Sequence, residues 1–134
     1  MKVHVSHMTL WVKDQEKALD FYRDKLGWEV RNDMTMGDFR WVSVSPTGQP
    51  NLEVTLLKPS ANNTFNAETI AHIEALLDAN AMGGGVLEVD DVRAAYSELK
   101  AKGVEFVSEP EQRPYGVEAI MRDGVGNWFS FTQH

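Results

Sequence analysis

The chain repeats itself, and no other feature limits its fold as strongly. The run Val12-Lys-Asp-Gln-Glu-Lys-Ala18 matches Val89-Asp-Asp-Val-Arg-Ala-Ala95 at an offset of 77 residues. One residue is dropped between these runs and the glycines that follow them, Gly27 and Gly103. Two copies of one unit mean that every candidate site residue has a counterpart to be compared with.

Each copy reads as a strand, a helix and then three strands. In residues 3–12, Met8, Leu10 and Val12 alternate with His7, Thr9 and Trp11, the two-residue period of a strand. Asp14 is placed to cap a helix in which Ala18, Tyr22 and Leu26 recur at four-residue steps, with Phe21 widening the stripe and Gly27 stopping it. Strands are expected at 28–32, 39–45 and 51–57, with turns around Gly37 and Pro46-Thr47-Gly48. The second copy gives a strand at 86–89, then Asp90-Asp91 and a helix carrying Val92, Ala95, Tyr96 and Leu99 before Gly103. Short strands follow at 104–107, 117–122 and 128–132. Between the copies, Asn66 is expected to cap an amphipathic helix carrying Ile70, Ile73, Leu76 and Leu77, which the run Met82-Gly83-Gly84-Gly85 ends. The expectation is an α+β fold of two tandem βαβββ modules, about 1–60 and about 84–134, joined by a linker helix at about 66–80. With 134 residues, 43% of them hydrophobic, the whole chain 1–134 can form one domain around one core.

Composition removes several classes of function. Cysteine is absent, which leaves no disulfide framework, no thiolate metal site and no cysteine nucleophile, and fits a cytoplasmic location. No secretory h-region or membrane-length apolar run is present, so no membrane partner is expected. Thirteen Lys and Arg against 20 Asp and Glu give a net charge of −7, which disfavours nucleic acid as a partner.

If the helices cover one face of each sheet, the other face of the first module carries His7, Thr9, Trp11, Trp41, Ser43, Glu53 and Thr55. Indoles beside an imidazole and a carboxylate make a candidate binding wall. Packing of the tryptophans in a core, with His7 hydrogen-bonded inside it, is the plainer alternative. His7 and Glu53 together are common donors to divalent metals, although two donors do not complete a site.

The sequence resembles the vicinal oxygen chelate superfamily of glyoxalases, extradiol dioxygenases and bleomycin or fosfomycin resistance proteins. The resemblance is carried by Val5-Ser-His-Met-Thr-Leu-Trp-Val-Lys-Asp14 and Ala18-Leu-Asp-Phe-Tyr-Arg-Asp-Lys-Leu-Gly27. In the second half it rests on Leu87-Glu-Val-Asp-Asp-Val92, Leu99-Lys-Ala-Lys-Gly-Val104 and Asp123-Gly-Val-Gly-Asn127. It implies a cup-shaped mixed sheet, a homodimer, and metal ligands at His7, Glu53, Gly84 and Ser130. Adding the 77-residue offset to His7 and Glu53 leads to the same Gly84 and Ser130. Glycine brings no side-chain donor and serine a poor one, so the expected four-ligand site is half lost. Glu118 and Glu88, the counterparts of Trp41 and Trp11, are the candidates for a third ligand; His4, His72 and His134 are not.

Three functions follow. The first is a bleomycin-resistance-like protein that needs no cofactor and binds a small aromatic or cationic molecule through Trp11, Trp41, Trp128, Tyr115 and Arg113. The second is a lyase or isomerase of the glyoxalase type, dependent on Zn, Ni, Mn or Fe, in which Glu53 or Glu118 moves a proton; a dioxygenase-like metalloenzyme belongs to the same class. The third is an interaction protein whose cup is filled by its own side chains. For Arg113-Pro-Tyr-Gly116, a rigid loop before a strand competes with a ligand-binding role.

Overall fold

A computed structural model describes residues 1–62 and 64–134. The first half runs β1 (His7–Trp11), α1 (Gln15–Leu19), β2 (Glu29–Met36), β3 (Phe39–Ser45) and β4 (Glu53–Leu57). The linker carries α2 (Ala67–Asp78). The second half runs β5 (Met82–Glu88), α3 (Val92–Ala101), β6 (Glu105–Phe106), β7 (Glu111–Arg113), β8 (Gly116–Arg122) and β9 (Asn127–Gln133). Two mixed sheets result, one ordered β1-β4-β3-β2 and the other β5-β9-β8-β6, with β7 paired to β8. In each, the strand before the helix lies parallel to the last strand of its half. This is the mixed α+β architecture that the repeat leads one to expect.

The caps repeat as the sequence does. The Asp14 carboxylate accepts from the Lys17 N–H at 3.1 Å and the Asp91 carboxylate from the Ala94 N–H at 3.0 Å, which satisfies a free donor at each helix start. The residue dropped in the second copy also has a structural meaning. In the first copy α1 continues as a π-helical stretch, Asp20–Lys25, in which the Leu26 N–H bonds to the Phe21 carbonyl at 2.9 Å. A π turn takes up one extra residue without ending the helix. Phe21 and Tyr22 lie within this stretch and are both buried.

One buried cluster joins the halves. Val42, Val44, Val54 and Leu56 of the first sheet meet Met121, Phe129 and Phe131 of the second, with Ala18, Leu19, Phe21, Tyr22 and Leu99 from the helices. Burying a side chain such as Leu56 contributes about 1.5–3 kcal/mol. Polar ties reinforce this core: Tyr22 donates to Asp123 at 2.6 Å, and the Asn127 side chain donates to the Trp11 carbonyl at 2.9 Å.

Several boundaries differ from expectation. The first strand begins at His7, not at residue 3, and residues 1–6 are exposed. Glu29–Met36 runs on past the expected end at residue 32, because a bulge between Val30 and Asn32 lets it keep pairing with β3 as far as Met36↔Phe39. The residues 104–107 keep only a two-residue strand, and Glu111–Arg113, where no strand is expected, forms a short strand closed onto β8 by Pro114 and Tyr115. The glycine run does not end the linker helix. That helix ends at Asp78, ahead of Asn80 with its left-handed φ of 55°, and Gly83, Gly84 and Gly85 lie inside β5. β5 breaks register between Gly83 and Val86, so Gly83 pairs with Trp128 while Val86 pairs with Ser130.

Candidate functional site

The face of each sheet turned away from the core is floored by small hydroxyls and edged by larger side chains. In the first sheet, Ser43 and Thr55 are buried, and the Thr9 and Thr55 hydroxyls are bonded at 2.9 Å. Above them stands the pair that strand parity places together. His7 and Glu53 face each other in the β1–β4 register, with Nε2 3.2 Å from Oε2. The other carboxylate oxygen, Oε1, accepts from Ser43 Oγ at 2.7 Å and Asn32 Nδ2 at 3.1 Å. These bonds, the one from Ser43 foremost and then that from Asn32, with the nearby His7 adding to them, hold the Glu53 carboxyl below the usual carboxylate range. Asn32 was not legible as part of this group, because only the bulge in β2 brings it opposite Ser43.

The tryptophans of this half separate. Trp11 packs edge-on against Phe65 at 5.3 Å between ring centres, an aromatic partner in the linker that no sequence period marks. Trp41 lies beside Phe39 at 6.5 Å and pairs across the strands with Met34.

In the second sheet a cleft of about 530 Å³ is lined by Val86, Tyr115, Glu118, Ile120, Trp128, Ser130, Thr132 and His134. Its single carboxylate, Glu118, receives one hydroxyl on each oxygen: Tyr115 donates to Oε1 at 2.7 Å and Ser130 donates to Oε2. Ser130 is bonded in turn to Thr132 at 2.8 Å. The Ser130 and Tyr115 bonds hold the Glu118 carboxyl below its ordinary range, and the bond to Glu118 pushes the Tyr115 phenol up. Arg113 lies at the margin, its Nη2 3.2 Å from Glu111 and its Nε 3.8 Å from Glu118. Val86, Ile120 and Thr132 share the parity of their neighbours and could have been found that way. His134 reaches the rim because its Nδ1 lies 2.9 Å from the Tyr115 carbonyl oxygen.

The two halves of the expected metal site are therefore unlike. Counting from the cap aspartates, Trp11 pairs with Leu57 and Glu88 pairs with Thr132. The last strand thus follows an offset of 75, not 77. Ser130 takes the register of Thr55, and Trp128 takes that of Glu53. Gly84, at the position matching His7, lies under the Trp128 indole: a Cβ added there would stand 2.9 Å from Cζ2 and 3.2 Å from Cε2. A ring on bare backbone thus occupies the place of an imidazole and a carboxylate. This donor set does not fit the family's four-ligand metal site, because Gly84 has no donor atom and the Ser130 hydroxyl is engaged by Glu118. Among the described residues no three His, Cys, Asp or Glu side chains are grouped to hold a metal ion.

Both carboxylates give stability a pH dependence. Their folded pKa values lie below the unfolded ones, so the unfolded chain binds more protons near the carboxylate range and stability is lost as pH falls through it. Chemical denaturation from about pH 6 down to about pH 3 is expected to show a shallower loss for Glu53→Gln than for the parent chain. An identical slope would mean that the Ser43 and Asn32 bonds do not favour the ionised form.

The chain belongs to the glyoxalase/bleomycin resistance protein/dioxygenase superfamily, whose family model matches residues 4–131. The crystal structure of UcmS2 is similar over the full length of both chains, with 45% identity and a TM-score of 0.89. TnmS3, an antibiotic binding protein from Streptomyces sp. CB03234, is 28% identical with a TM-score of 0.73, over 98% of this chain and 96% of its own. The mitochondrial methylmalonyl-CoA epimerase of Mus musculus is 32% identical over 108 residues, 78% of this chain and 56% of the epimerase. No helix among the described residues is long and apolar enough to cross a membrane.

Proposed function

We propose that this protein binds a small planar or aromatic molecule without a metal cofactor, as a cytoplasmic homodimer of the bleomycin-resistance kind. The observation that carries the reading is the second-half cleft, where Trp128, Tyr115, Val86 and Ile120 surround a single carboxylate. Concave, largely apolar surfaces with one or two fixed polar groups are what small-molecule sites consist of. The similarity to an antibiotic binding protein supports the same class of ligand. Trp41, with Phe39 and Met34 beside it, offers a second aromatic surface on the first sheet, and Arg113 a cationic group at the cleft margin. The partly exposed Trp128 and Tyr115 favour a ligand over a cup filled by its own side chains.

A second reading rests on the His7–Glu53 pair at 3.2 Å and the likeness to an epimerase: a divalent-metal-dependent lyase or isomerase of the glyoxalase type. One experiment separates the two. Tryptophan emission is followed while planar aromatic antibiotics are added in the presence of EDTA, and metal content is then measured after dialysis against Zn, Ni, Mn and Fe(II). The expected result is saturable quenching with no bound metal. Near-stoichiometric metal that is lost in His7→Ala would replace the binding reading with the enzymatic one.

A further inference from the structure

The polar chemistry of the second-half cleft narrows the ligand further, on the reading that this cleft is the binding site. Glu118 is 15% exposed in its side chain and is met by hydroxyl donors on both oxygens. Hydroxyls orient a carboxylate but leave its negative charge uncancelled, and each oxygen keeps a second lone pair. The nearby cation, Arg113, is turned toward Glu111, with its Nε 3.8 Å from Glu118. His134 Nε2 lies 3.7 Å from Glu88 at the rim. Among the described residues Glu118 thus shares one cation, Arg113, with Glu111, and the cleft walls beside it that could accept a second cation are the Trp128 and Tyr115 rings.

Gly84 fixes the position of the larger wall. It has a left-handed φ of 74°, and a Cβ there would lie 2.9 Å from the indole. Only bare backbone lets the ring lie down beside the strand. An indole, a phenol ring and a carboxylate lining one cleft are groups that can together attract a cationic nitrogen.

We propose that the second-half cleft is a site for an organic ammonium ion, held by the Trp128 and Tyr115 rings and the Glu118 carboxylate, with Gly84 setting where the indole lies. The ammonium group sits against the indole and turns a donor or positive charge to the free lone pairs of Glu118.

The test compares choline chloride with its uncharged isostere 3,3-dimethylbutan-1-ol on the full chain, followed by the Trp128 indole N–H resonance. Choline is expected to bind at least about tenfold more tightly than the alcohol. Glu118→Gln should bring the two to near parity, and Gly84→Ala should weaken choline by a similar factor as its methyl lifts the ring. Thermal unfolding checks that each variant folds; if Gly84→Ala does not, Trp128→Leu takes its place and should lose the choline preference. Equal affinity of the parent chain for both probes, or choline binding unchanged in Glu118→Gln, would overturn the assignment. Saturable quenching by a planar antibiotic without preference for choline would end the ammonium assignment and leave the proposed function standing. Loss of both would end both.

Discussion

Asp123→Ala is expected to lower the unfolding free energy by about 3–5 kcal/mol, a large part of the stability of a domain this size. Asp123 is 4% exposed and accepts four hydrogen bonds. Two come from the backbone N–H groups of Val125 and Asn127, both at 2.9 Å. The others come from the Tyr22 hydroxyl at 2.6 Å and the Asn127 side chain at 2.8 Å. Tyr22 sits on the helix of the first half and Asn127 opens the last strand of the second, so one carboxylate ties together parts of the chain 101 residues apart. Its removal leaves a buried phenol and a buried amide short of acceptors, at about 1–3 kcal/mol each. Tyr22→Phe removes one donor and keeps the rest, and should cost about 1–2 kcal/mol. Urea denaturation of both variants measures this. Equal midpoints for Asp123→Ala and the parent chain would show that the network positions the turn without holding the halves together.

Much of this fold was legible because the repeat acts through local chemistry. A cap aspartate followed by a helix period dictates the same turn wherever it occurs, and Asp14 and Asp91 do the same work. Parity was legible for the same reason: His7 and Glu53 meet across parallel strands because both point to one face. What the sequence hid depends on pairing between distant segments. A glycine run beside a helix reads as a stop, and nothing local says that it will pair with β9 and carry a bulge. The bulge and the changed offset of the last strand put Trp128, not a ligand, in register with Glu53. Parity also says which face a side chain takes but not how two sheets are set against each other. Hence Glu118 looked able to complete a site with His7, while its partners are Tyr115 and Ser130. The closing turn at Asp123 carries the family resemblance and Tyr22 lies on the apolar helix stripe, yet the bond between them joins segments 101 residues apart and neither segment shows it alone.

Trp128→Ala is expected to weaken ligand binding by about 30-fold, or about 2 kcal/mol, the scale of an aromatic anchor at the centre of a site. The indole is 39% exposed, so a good part of its surface is available for contact with a ligand. Its removal should change thermal stability much less than a core truncation does, because the ring rests on Gly84 and not within the central cluster. Trp41→Ala gives the comparison, since that ring lies on the other sheet beside Phe39. If the second-half cleft binds alone, Trp41→Ala leaves affinity within about twofold, whereas a site assembled from both sheets of a homodimer makes the two variants similarly weak. Titration of both proteins with one ligand, beside their melting curves, decides between these arrangements. Unchanged affinity in Trp128→Ala would remove the second-half cleft from the site and move attention to the His7–Glu53 face.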